Sequence, residues 1–136
     1  MSTVEAEERL KRLVKLLCVA SPSILKIIYH IGKSLPETQF GRRNLLHMVI
    51  NAVRQALTRA YKHNVFDLDE AMEVYEKIAG AYWKYYGDIV ISSNTNVYIK
   101  FLDEAVSILE ENPRYVEWTN KMWSDLQSLY KEMLSS

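Results

Sequence analysis

Residues 42–62, RRNLLHMVINAVRQALTRAYK, decide the fold. At 100° per residue, Leu45, Leu46, Val49, Ala52, Val53, Ala56 and Ala60 fill one arc of a helix, while Arg43, His47, Asn51, Arg54, Thr58 and Lys62 line up in another. A segment divided this sharply, with neither Pro nor Gly inside it, predicts a long amphipathic helix from about Arg42 to about Lys62.

The same period of three and four residues runs outward in both directions. Ser2 and Glu5 make a capping box for a first helix, on which Leu10, Leu13, Val14 and Leu17 share a face. Ser21-Pro22 stops it and opens a second, short and apolar helix, with Ile24, Ile27, Ile28 and Ile31 expected inward and Gly32 as a left-handed C-terminal cap. Residues 34–41 read as a connector. Beyond the long helix, Asp67 and Glu70 form another capping box, followed by Leu68, Ala71, Met72, Tyr75, Ile78, Ala79 and Tyr82 as an inward stripe. Gly80 suggests a close helix contact and Gly87 a helix end, after which Asp88-Ile89-Val90-Ile91 is the one stretch that reads as extended. A fifth helix carries Tyr98, Phe101, Leu102, Ala105 and Leu109. Asn112-Pro113 starts a sixth, striped by Tyr115, Trp118, Met122, Trp123, Leu126, Leu129, Tyr130 and Met133. The expectation is an all-α fold: a compact antiparallel bundle of five to six helices, with residues 1–136 forming a single domain.

Composition narrows the class further. Apolar residues make up 49% and charged residues 25%, which is enough to build a core and too little charge for a disordered chain. One cysteine, Cys18, rules out an internal disulfide, and its place on the flank of the first apolar face suits a structural thiol. The acidic start lacks the basic region of a signal peptide, and no apolar run approaches the ~20 residues that span a bilayer, so an intracellular, soluble (cytoplasmic) protein without membrane contact is expected. Asp69-Glu70-Ala71 and Asp103-Glu104-Ala105 sit at the tetratricopeptide spacing, but the other positions of that repeat fail and the match is chance.

Catalysis finds no support. The histidines His30, His47 and His63 lie near no nucleophile motif, and neither a metal-ligand spacing nor a phosphate-cradling glycine loop is present. No catalytic residue, metal or cofactor is therefore assigned, and capping explains Asp67, Asp69 and Glu70 better than a cation does.

Charge is what remains. Residues 1–62 carry 11 Lys or Arg against 4 Asp or Glu, a balance of +7, whereas residues 63–136 carry 6 against 13, a balance of −7. Arg42, Arg43, His47, Asn51, Arg54, Arg59 and Lys62 form a candidate surface for nucleic acid or another polyanion, joined by Lys11, Arg12 and Lys15. The competing reading is a solvated face, or one neutralised by the acidic half. Aromatics concentrate at Tyr82-Trp83-Lys84-Tyr85-Tyr86, where adjacent residues point in different directions, so Trp83, Tyr85 and Tyr86 are candidates for a partner interface. The expected function is a non-enzymatic subunit or regulator that docks on nucleic acid or on a nucleic-acid-handling protein complex. The alternative is an assembly subunit of coat or scaffold type, a homo-oligomer held by its basic and acidic faces.

Overall fold

Hydrogen-bonded helix covers nearly all of residues 4–131, the part of the chain that the structure, a computed structural model, describes. Six helices follow in order: α1 (Val4–Leu16), α2 (Pro22–Gly32), α3 (Gln39–Lys62), α4 (Leu68–Val90), α5 (Thr95–Glu110) and α6 (Pro113–Leu126), with a 3-10 turn at Gln127–Tyr130. They form an all-α bundle with no strand among the described residues. The long pair α3 and α4 packs side by side, α5 lies between α4 and α1, and α2 joins α1 to α3. One continuous apolar cluster draws on every helix. Its centre is the predicted arc of α3, where Leu45, Leu46, Val49, Ala52, Val53, Ala56 and Ala60 are wholly buried.

Tyrosines tie the helix ends to this core. The last carbonyls of a helix lack partners within it, and a buried one left unpaired costs about 1–3 kcal/mol. Tyr115 donates its hydroxyl to Leu16 O at 2.6 Å, Tyr98 to Gly32 O at 2.6 Å and Tyr130 to Cys18 O at 3.1 Å. Cys18 is itself buried, with its Sγ 3.7 Å from Thr119 O, and burial pushes its thiol up to about 11, as fits a structural role.

Several sequence expectations change. Asp88, Ile89 and Val90 are helical rather than extended, because Ile89 and Val90 continue the buried stripe of α4 from Ile78 and Tyr82. Gly87 therefore lies inside α4, and both Gly87 and Gly80 face open space, so neither marks a close approach. Gly32 does, although it is not a left-handed cap: no glycine has a positive φ, and a Cβ at Gly32 would meet Tyr98 Oη at 2.9 Å and Leu10 Cδ2 at 3.0 Å. On α2 the buried face is Leu25, Ile28 and Tyr29, and Ile27 and Ile31 point outward. Leu68, Met72 and Leu129 are likewise exposed. The Asp67–Glu70 capping box forms as expected, with both reciprocal bonds at 2.8–2.9 Å. The Ser2 cap and Met133 lie outside the described residues. No helix among them is long and apolar enough to cross a membrane.

Candidate functional site

The two charged halves meet inside the molecule, but only in part. α1 lies along α5, and there Arg9 Nε donates to Asp103 Oδ1 at 2.9 Å while Arg12 reaches both carboxylate oxygens of Glu110, at 2.8 and 3.1 Å. Neutralisation by the acidic half is thus real for the two arginines of α1, and Arg12 leaves the candidate surface, while Lys11 and Lys15 are in no ion pair among the described residues.

Arg42 leaves it too. Its side chain is buried, with Nε donating to Val90 O at 2.9 Å and one terminal nitrogen to Pro36 O at 3.0 Å and Glu37 O at 2.7 Å. It acts as a structural clamp, placing a cation at the negative end of the α4 dipole and fixing the connector before α3.

The remaining cations of α3 stay outside. Arg43, His47, Arg54, Arg59 and Lys62 are exposed, Asn51 is half-buried beside them, and none of the cations is in an ion pair among the described residues. From Arg43 to Lys62 the row is about 28 Å long at 1.5 Å per residue. Its C-terminal half shapes a cleft of about 410 Å³ lined by Arg54, Gln55, Thr58, Arg59, Lys62 and His63. The Gln55 amide is oriented by its surroundings: its Oε1 accepts from Ser21 N–H at 3.0 Å, which leaves the amide N–H groups as the donors available to the cleft.

The turn after α3 holds this cleft in place. Val65 N–H reaches Ala60 O at 2.9 Å and Asn64 N–H reaches Tyr61 O at 3.1 Å, a Schellman motif in which Asn64 takes φ 61° where glycine is usual. Arg114 donates to Asn64 O at 2.9 Å, and Phe66 stacks on Tyr115 with centroids 5.5 Å apart. α6 is thereby fastened to the end of α3, and Trp118 comes to lie 5.8 Å from the His63 ring.

Two apolar hollows flank the cationic crest. A pocket of about 220 Å³ on the α6 side is lined by Val19, Ala20, Pro22, Trp118, Met122 and Leu126 and shares Arg59 and His63 with the cleft. A groove of about 520 Å³ on the α4 side shares Arg54 and Thr58 with it, and continues over Leu57, Tyr61, Leu68, Ala71, Met72 and Tyr75 to Glu76.

The aromatic concentration on α4 is elsewhere. Trp83 is 68% exposed and meets Tyr82 edge-on at 4.9 Å, whereas Tyr85 and Tyr86 are half-buried against the core. Lys84 Nζ lies 4.9 Å from the Tyr85 ring centre. Of the three interface candidates, Trp83 alone is largely free. Gln55, His63 and Trp118 were not singled out from the sequence as site members: Gln55 lines the cleft from α3 beside the cations, His63 reaches it through the turn, and Trp118 lines the neighbouring pocket through the docking of α6.

Comparison with protein families, curated proteins and solved structures finds no match to this chain.

Proposed function

We propose that the chain is a non-enzymatic binding subunit that docks on nucleic acid, or on a complex that handles it, through the cationic face of α3. One observation carries the reading: the arginines of α1 are paired with α5 carboxylates, yet Arg43, Arg54, Arg59 and Lys62 are exposed and in no ion pair among the described residues. A face kept only for solubility mixes both signs, whereas a row of one sign about 28 Å long favours a polyanion. Binding of this kind releases counterions, so four phosphate contacts give a slope of log affinity against log salt of about −3 to −4.

The test is a titration of labelled oligonucleotides at two salt concentrations with wild type and Arg54→Glu/Arg59→Glu. The double change weakens binding to every sequence and cuts the salt slope by about 2, without unfolding the bundle. Wild-type protein that binds no oligonucleotide at low salt contradicts the proposal.

A second reading is supported by the α3–α4 groove. Leu68 and Met72 are 54% and 51% exposed there, with Arg54 of α3 on one wall and Glu76 of α4 on the other. Two copies related by a two-fold axis bury these side chains and set the basic wall of each against the acidic wall of the other. Light scattering tests it: Met72→Glu turns a dimer into a monomer if this reading holds, and leaves the mass unchanged if it does not.

A further inference from the structure

The cleft and the pocket on its α6 side share Arg59 and His63 as lining residues, so they lie side by side. Their chemistries differ in a useful way. The cleft presents Arg54, Arg59 and Lys62 with the Gln55 amide donors, a set that suits phosphate. The pocket presents Trp118, Met122, Leu126, Val19 and Pro22, a set that suits a flat apolar ring. Trp118 is a firm wall. Its ring meets Tyr115 edge-on at 5.9 Å, and the Tyr115 hydroxyl is fixed to Leu16 O, so little side-chain freedom is lost when a ligand arrives.

We propose that the two hollows form one composite site for unpaired nucleic acid, with phosphates on Arg54, Arg59 and Lys62 and a base seated in the pocket against Trp118. This rests on the polyanion reading and adds the strand state of the ligand. A duplex keeps its bases stacked inside and offers the pocket nothing. An unpaired strand offers both parts at once, and the row continues through Asn51, His47 and Arg43 for the phosphates that follow. Since the pocket lining is apolar apart from Arg59 and His63 at its shared edge, the base is held mainly by its face and hydrophobic surface, which predicts weak sequence preference.

The experiment uses wild-type protein and three labelled ligands of equal length: a thymidine strand, an abasic strand with the same phosphates, and a duplex. The thymidine strand is expected to bind roughly tenfold tighter than the abasic strand, the scale of one base stacked on an aromatic ring. It is also expected to bind tighter than the duplex. In Trp83→Phe/Trp123→Phe protein, where Trp118 is the single tryptophan, its emission should be quenched by the thymidine strand and not by the abasic one. Equal affinity for the thymidine and abasic strands overturns the inference while leaving the polyanion reading intact. No binding to any of the three removes both.

Discussion

Tyr115 does two jobs with one side chain. Its ring stacks on Phe66 and supports Trp118, and its hydroxyl satisfies the Leu16 carbonyl at the end of α1. Tyr115→Phe keeps the packing and leaves that carbonyl unpaired, so urea unfolding should show a loss of about 1–3 kcal/mol. Arg42→Met is expected to cost at least about 2 kcal/mol, because three carbonyls lose a charged donor together, whereas Arg43→Met should leave stability within about 0.5 kcal/mol. The contrast between these neighbours was legible in the sequence. At 100° per residue Arg42 falls about 260° round from Arg43, in the middle of the apolar arc beside Val49, Val53 and Ala60, so a run of adjacent arginines hid a periodicity that already separated them. The buried hydroxyls and thiol also set a pH limit. Burial pushes Tyr29 and Tyr130 from 10.0 up to about 12 and Cys18 from 9.0 up to about 11, with Tyr98 and Tyr115 raised in the same direction. The unfolded chain therefore loses these protons first. Stability is full below pH 9 and falls as pH rises through 9 to 12. Spectrophotometric titration should show a group of tyrosines ionising only as the helical circular dichroism signal is lost; smooth titration near pH 10 with the fold intact contradicts this burial.

At the scale of the element, the ends decide more than the middles. The Schellman turn after α3 places His63, frees Arg59 and Lys62 to face the cleft and hands the chain to the Asp67 cap. Asn64→Gly should be neutral or slightly stabilising, since Asn64 already sits at φ 61°, whereas Asn64→Val should lose about 1–2 kcal/mol through a β-branched side chain in the left-handed region. Thermal unfolding of both variants checks this. Long periodic elements were readable from sequence: the buried arc of α3 and the stripe of α5 are where the spacing put them. Composition without geometry misled at the C-terminal end of α4, where the β-branched run Ile89-Val90-Ile91 suggested a strand. Burial of Ile89 and Val90 and the Arg42 bond to Val90 O keep it helical. On α2 four isoleucines looked like one face, but Leu25 and Tyr29 took the core and displaced Ile27 and Ile31 to the surface. The candidate site was half legible for the same reason. A row along one helix is visible in its spacing, while a pocket shared by the end of α3, the turn after α1 and the middle of α6 depends on long-range docking that no local pattern encodes.

Across the whole molecule, the balance of +7 against −7 is partly closed by α1 lying on α5 and left open along α3. The open part is the source of the proposed activity, and its strength should fall steeply with salt. If the polyanion reading holds, Met72→Glu, on the far side of the crest, is expected to leave oligonucleotide affinity unchanged within about twofold. The measurement that tests the central claim most directly is an NMR titration of isotope-labelled protein with a short thymidine strand, read residue by residue. Amide shifts are expected to cluster at residues 54–64, to weaken along α3 towards residue 43, and to form a second group at 18–22 and 118–126, while the exposed groove residues 68–76 and the aromatic segment 82–86 stay still. Shifts confined to residues 68–76 or 82–86, or none at low salt, would contradict that claim.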